Sequence, residues 1–182
     1  VGSSLEFDAE SATSYEFGIK GFFADRTVML NATAYHTTVE DFQETALAPT
    51  GTGFIVSNAG EQQVQGIEAD FRFSPNDNFS VDGGIAFLDS EYTDFAGAQC
   101  GLGETPDDPA TKTCDRTGET PSNAPEWSIN LGLQWDQEVS DALGLRLRAD
   151  YNWRDDQNIT RVTQDSTADI DAYGLLNLRA AL

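Results

Sequence analysis

Glu68 and Asp70 stand two residues apart, a spacing that puts both carboxylates on one face of an extended strand. Retaining and inverting glycosidases use such a pair, but acidic neighbours are ordinary on any polar sheet face, and no enzymatic pair is expected. His36 is the only histidine. It titrates near neutrality and has the chemistry of a general base, yet its place in an alternating segment points to a structural or lumen-facing side chain. No spacing of Ser, His and Asp suggests a nucleophilic triad. The acidic run Glu104-Thr105-Pro106-Asp107-Asp108 offers oxygen ligands to Ca²⁺, but it lacks a recognisable ligand ladder and reads better as a solvated, turn-forming loop. No catalytic residue, metal ligand or cofactor is expected, and no substrate-binding residue is identified.

Cys100 and Cys114 share residues 95–124, a segment rich in Gly, Thr, Asp and Pro, residues that favour turns. A bridge between them would close a loop of about 15 residues and contribute roughly 3 kcal/mol in the chain-entropy model. Oxidising compartments permit such a bridge; two exposed free thiols are the alternative. A metal site is disfavoured because His36 lies far away on another segment.

The elements that must position these residues are strands. Residues 127–135 and 143–154 alternate almost without error, with Leu145, Leu147, Ala149, Tyr151 and Trp153 on one side and Arg146, Arg148, Asp150, Asn152 and Arg154 on the other. Residues 66–73 do the same: Ile67, Ala69, Phe71 and Phe73 oppose Glu68, Asp70 and Arg72. A soluble β-sandwich also alternates, but about 5–6 residues per strand suffice there. Tilted strands that cross a bilayer need about 9–11. Length and alternation alone leave both architectures open.

Strands are expected over residues 12–23, 27–44, 61–73, 79–94, 125–136, 144–154 and 173–182. The connections take turns between short (24–26, 75–78, 137–143) and long (45–60, 95–124, 155–172). Outer-membrane barrels keep that rhythm, with brief turns at one rim and extended loops at the other; a sandwich has no reason to. Glu68, Asp70, Arg72, Arg146, Arg148 and Asp150 are then expected to face the lumen. Trp127, Ile129, Leu131, Leu133, Trp135, Leu145, Leu147, Tyr151 and Trp153 are expected on the convex, lipid-facing side. Slipping residues 144–154 by one position would turn the arginines to lipid at about 2–4 kcal/mol each near the midplane. Gly83 and Gly84 within a strand mark a kink or a close approach, and Pro75 belongs in a turn.

At 182 residues the chain suits one domain. Ten Lys and Arg against 31 Asp and Glu give a net charge of -21, which argues against nucleic acid as a partner. No apolar run approaches the about 18 residues of a transmembrane helix, a criterion that does not bear on β-barrels. No signal peptide is visible from Val1 onward and the chain does not begin with Met, so an internal piece of a longer precursor is expected.

Glu10-Ser-Ala-Thr-Ser-Tyr-Glu-Phe-Gly-Ile-Lys20, a tight turn, then Val28-Met-Leu-Asn-Ala-Thr-Ala-Tyr35 open an ordered set of blocks. It continues with Asp41-Phe-Gln43, Ser57-Asn-Ala-Gly60, Gly66-Ile-Glu-Ala-Asp70 and Asn123-Ala-Pro-Glu-Trp127. In order and spacing, over almost the whole chain, these blocks resemble the barrel of TonB-dependent outer-membrane receptors. The resemblance implies an all-β fold: an antiparallel up-and-down meander forming part of a transmembrane β-barrel, about seven strands near the C-terminal end of one of about 22. Residues 1–182 would all belong to that barrel domain, with the plug domain, coupling segment, remaining strands and terminal aromatic outside the sequence. Alone, such a piece would expose two sheet edges, at 12–23 and 173–182, and resist staying monomeric in water.

The resemblance also implies a function. The complete protein would sit in the outer membrane of a Gram-negative bacterium, in contact with its lipid. It would bind a scarce nutrient such as an iron chelate, and admit it when a TonB-type coupling protein, acting through an N-terminal segment absent here, pulls the plug. No enzymatic activity is implied. The alternative from another class is a secreted or surface β-sandwich that binds carbohydrate or protein.

Overall fold

The computed structural model describes residues 9–47, 54–58, 60–101, 103–159 and 169–182. Among them the chain is all β, without a helix. The strands are β1 (Ser11–Phe23), β2 (Val28–Glu40), β3 (Gln43–Leu47), β4 (Phe54–Asn58), β5 (Glu61–Asn76), β6 (Phe79–Asp94), β7 (Ala98–Gln99), β8 (Thr113–Cys114), β9 (Trp127–Ser140), β10 (Leu143–Arg154), β11 (Gln157–Asn158), β12 (Asp169–Ile170) and β13 (Tyr173–Ala181). Seven of them form one antiparallel sheet in the order β1-β2-β5-β6-β9-β10-β13. The remaining six pair as β3-β4, β7-β8 and β11-β12, inside the three long connections. No second sheet covers the large one among the described residues.

Register turns the alternation of single strands into two continuous faces. The ladder sets Ile19 beside Ala32, Ala32 beside Ala69, Ala69 beside Ile85 and Ile85 beside Ile129. Ile129 stands beside Trp153. One rung lower, Leu131 meets Tyr151, and Tyr151 meets Leu176. Every one of these positions is apolar, so over these rungs all seven strands share one oily face. Trp127, Leu131, Leu133, Trp135, Leu147 and Tyr151 are exposed on it, while Ile129, Leu145 and Trp153 are half-buried. In a sandwich these side chains would be packed under a second sheet. The other face carries Glu16, Lys20, Asn31, Glu68, Asp70, Arg72, Asp82, Asn130, Arg146, Arg148, Asp150 and Arg179.

The seven expected strands are all present, and their boundaries differ where local chemistry intervenes. The expected strand 27–44 breaks at Asp41, whose φ of 54° leaves the extended region. Asn58 donates from Nδ2 to the Asp41 carbonyl at 2.6 Å and the Phe42 N–H bonds the Gly60 carbonyl. The chain beyond Asp41 therefore turns into the paired strands β3 and β4, within what is expected as the end of that strand and the long connection 45–60. β9 runs on to Ser140, so only Asp141 and Ala142 separate it from β10. Pro75 lies at the end of β5, inside the irregular stretch between Phe73 and Asn76, where the ladder does not need the N–H that proline lacks. Asn76 makes the turn: its Oδ1 accepts from the N–H groups of Asn78 and Phe79. Parts of the connections 45–60 and 155–172 lie outside the described residues.

Buried hydrophobic packing occurs elsewhere, over the long-loop rim. Phe42, Tyr92, Phe95 and Ala98 form the core, with Val39 packed against it. The three rings are in mutual contact, with centroids 4.9–5.2 Å apart.

Candidate functional site

Ion pairs tie four strands together across the polar face. Arg148 of β10 donates from Nη1 and Nη2 to the two carboxylate oxygens of Asp82 on β6, at 2.6 and 2.9 Å, and from Nε to Asp150 at 2.8 Å. The second oxygen of Asp150 accepts from Arg179 of β13. To reach Asp82 the guanidinium must cross β9, and it does so over Gly132. A Cβ at that position would lie 2.0 Å from Nη2 of Arg148 and 2.9 Å from Asp82 Oδ2. The fork geometry of guanidinium on carboxylate is directional. In a partly hydrated site its larger effect is on register, because desolvation offsets much of the attraction.

Nearer the turn rim Arg146 pairs with Asp136 at 2.6 Å. On β5 Arg72 stands directly opposite Asp82 in the ladder, so it joins the charged network around Arg148. Asp70 stands opposite Gly84, where an added Cβ would meet Asp70 Oδ1 at 2.9 Å and Asn130 Nδ2 at 2.8 Å. Gly84 therefore marks a close approach of side chains. Gly83 marks another, 2.6 Å from its would-be Cβ to the Asn130 carbonyl. Glu68 stands opposite Ala86, away from the arginines. His36 does not share this face: it lies opposite Tyr15 and Gln65, in the set that continues through Ala34 and Ile67. Of the two roles expected for His36, structural or lumen-facing, its register fits the first, because it lies an even number of residues from Ala34, Ala32 and Leu30.

Above the rim, Cys100 and Cys114 are bonded to each other with Cα atoms 5.0 Å apart. The bridge uses both sulfurs, so their nearness to Glu104 offers no thiolate to a metal. Glu104 serves Arg116 instead. That buried guanidinium donates to both oxygens of Glu104 and, at 3.1 Å, to Glu119. Burial alone would pull the Arg116 pKa down; the bonds to Glu104 and Glu119 overcome it and raise it. The rest of the acidic run is spent on backbone. Asp107 accepts from the Asp115 N–H, and Asp108 accepts from the N–H groups of Ala110 and Thr111. The Ala110 bond and those to Thr111 hold the Asp108 carboxyl below the usual range, and bonds from Thr117 do the same for Asp115.

Sequence reasoning found Arg148 and Asp150 but missed Asp82, Arg179, Asp136, Arg116 and Gly132. Asp82 carried a signal, since it keeps the parity of Ser80 in an alternating strand beside two glycines. Arg116 carried none, because its partners converge through loop structure.

Over residues 2–182 the sequence matches the family described as "TonB dependent receptor-like, beta-barrel". Among curated protein sequences none matches this chain. The fold is similar to that of several solved structures. One is the ferric yersiniabactin uptake receptor FyuA of Yersinia pestis, at TM-score 0.68 and 18% identity over 94% of this chain and 22% of that one. Another is the siderophore receptor PiuA of Acinetobacter baumannii, at 0.68 and 22% identity over 93% and 22%. A third is the copper transporter OprC, at 0.60 and 15% identity over 94% and 22%. The chain thus spans under a quarter of the length of each of these proteins.

Proposed function

Because the chain belongs to the β-barrel family of TonB-dependent receptors, we propose that residues 1–182 are wall strands and outer loops of an outer-membrane receptor in a Gram-negative bacterium. The complete protein takes up a scarce nutrient, a ferric siderophore in the first instance, using energy delivered by a TonB-type coupling protein. The observation that carries this is the seven-stranded register: over its middle rungs one face is apolar across every strand and the other is mainly polar and ion-paired. Water on one side and lipid on the other satisfy both faces at once. The same network of Asp82, Arg148, Asp150 and Arg179 then lines the lumen, with Glu68, Asp70, Arg72 and Arg146 beside it. Its role is to hold register and present a hydrated polar wall; nothing in it is a nucleophile set against a base.

A siderophore as cargo follows the first two structural neighbours, and the copper transporter among them makes a metal salt the natural comparison. The test is uptake by a receptor-deficient outer membrane supplied with the full-length receptor. Labelled ferric siderophores should accumulate, and collapsing the inner-membrane proton gradient should abolish the accumulation. Uptake indifferent to the gradient, or of copper salts in preference to every ferric chelate, would contradict the proposal in its mechanism or its cargo respectively.

A further inference from the structure

The apolar face does not run the full height of the sheet. On β2 the outward set passes from Val28, Leu30, Ala32 and Ala34 to His36, Thr38 and Glu40. On β5 it passes from Phe73, Phe71, Ala69 and Ile67 to Gln65, Gln63 and Glu61, and on β6 from Val81, Ile85 and Phe87 to Asp89 and Glu91. All three strands change at the same rung, between Ala34-Ile67-Phe87 and His36-Gln65-Asp89. Gln65 and Asp89 are hydrogen-bonded to each other at 2.9 Å just above it.

The opposite face changes in the reverse sense. Below the rung it holds Asn31, Thr33, Glu68, Asp70, Arg72 and Asp82; above it come Tyr35, Val39, Val64, Leu88 and Tyr92, with Thr37 and the hydrogen-bonded pair Gln62 and Ser90 among them. Val39 and Tyr92 pack into the buried cluster with Phe42 and Phe95. The same strands are thus oily outside and polar inside below the rung, and above it they are polar outside and turn mainly apolar side chains inward. A strand needs the first arrangement in lipid and the second in water.

Granting the outer-membrane placement, on which this depends, we infer that the rung Ala34-Ile67-Phe87-Trp127 is the outer boundary of hydrocarbon contact, and that β2, β5 and β6 rise past it as a water-exposed parapet backed by the loop core. The occupant of the lower outward face is lipid acyl chain. Aromatic residues end that band, Phe87 and Trp127 above and Phe79 and Trp135 below, with the two pairs facing each other across β6 and β9. Trp127 to Trp135 spans about 27 Å of strand, or about 20 Å once tilted, near the height of the apolar belt of such barrels. The parapet is one-sided. β6 continues about 24 Å beyond Phe87 to Asp94, whereas β9 begins at Trp127, β10 ends at Arg154 and β13 begins at Tyr173.

The test places nitroxide labels on single cysteines in the full-length receptor in liposomes and compares collisions with oxygen, which concentrates in hydrocarbon, against a water-soluble nickel chelate. Ala69→Cys and Ile85→Cys, which stand opposite each other, report below the rung, and Gln63→Cys and Glu91→Cys report above it. A pair on neighbouring strands at each level keeps the comparison intact if one variant does not assemble. Oxygen collisions should exceed chelate collisions several-fold at the lower pair, with the order reversed at the upper pair. Oxygen dominance at all four positions would overturn the boundary while leaving the membrane placement intact. Protection from both reagents, or chelate dominance, at the lower pair would overturn the membrane placement and the boundary together.

Discussion

The lower sheet and the loop core above it both dispose of apolar side chains, but in opposite ways. In the sheet, Leu133 and Leu147 remain exposed and the fold is held by ladder hydrogen bonds and by charges on the far face. In the loop core, Phe95 is 1% exposed and Cys114 is fully buried, a miniature soluble interior held by a disulfide and an arginine with two carboxylates. The contrast teaches that burial must be judged against the solvent each region meets. By water's standard the apolar face of the sheet is badly built; against lipid, as proposed above, that face would need no cover.

Substitutions should therefore separate the two regions. The largest expected effect is Phe95→Ala, at about 3–5 kcal/mol for emptying a packed aromatic site. It should speed amide exchange at Tyr92, Arg116 and Gly118, whose N–H groups bond within the loop core, and leave β9 and β10 protected. Leu133→Arg should cost about 2–4 kcal/mol in the equilibrium folding of the receptor into liposomes. The matching Glu91→Arg, on the same face but above the rung, should change it by less than about 0.5 kcal/mol. Equal costs at the two positions would erase the contrast.

Gly132→Ala should cost about 1–3 kcal/mol by displacing the Arg148 guanidinium. Much of that loss should vanish when Arg148 is already methionine, which a double-mutant cycle measures.

The smallest effect is acid sensitivity confined to the loops. Asp108 and Asp115 titrate below their ordinary value, so their contribution is fully present above the unfolded pKa of about 3.9. It is lost as the pH falls through the lower folded values. NMR titration should show the amides of Ala110, Thr111 and Thr117 shifting in that acid range and staying constant across neutral pH.

The sheet was legible in the sequence because its physics is periodic. Residues 143–154 show both faces by parity alone, and the short and long connections fall on opposite rims. The loop core was not legible, since Phe42, Phe95 and Arg116 meet across distant segments with no period to announce them. Asp41 broke an expected strand through a backbone conformation that no alternation encodes. His36 was left open between a structural and a lumen-facing role, and its ladder partners Tyr15 and Gln65 put it on the face that carries Ala34 and Ile67. Asp82 was missed for a related reason, because a charge is read as a site only when its partner is visible, and Arg148 lies 66 residues away.

The most direct test of the two-solvent account is cross-saturation from lipid acyl chains to methyl groups of the full-length receptor in nanodiscs. Ile85, Leu131, Leu133 and Leu147 should receive magnetisation from the lipid, and Val39, Val64 and Leu88 should receive none. Transfer to Leu88 and Val39, or its absence at Leu133 and Leu147, would contradict it.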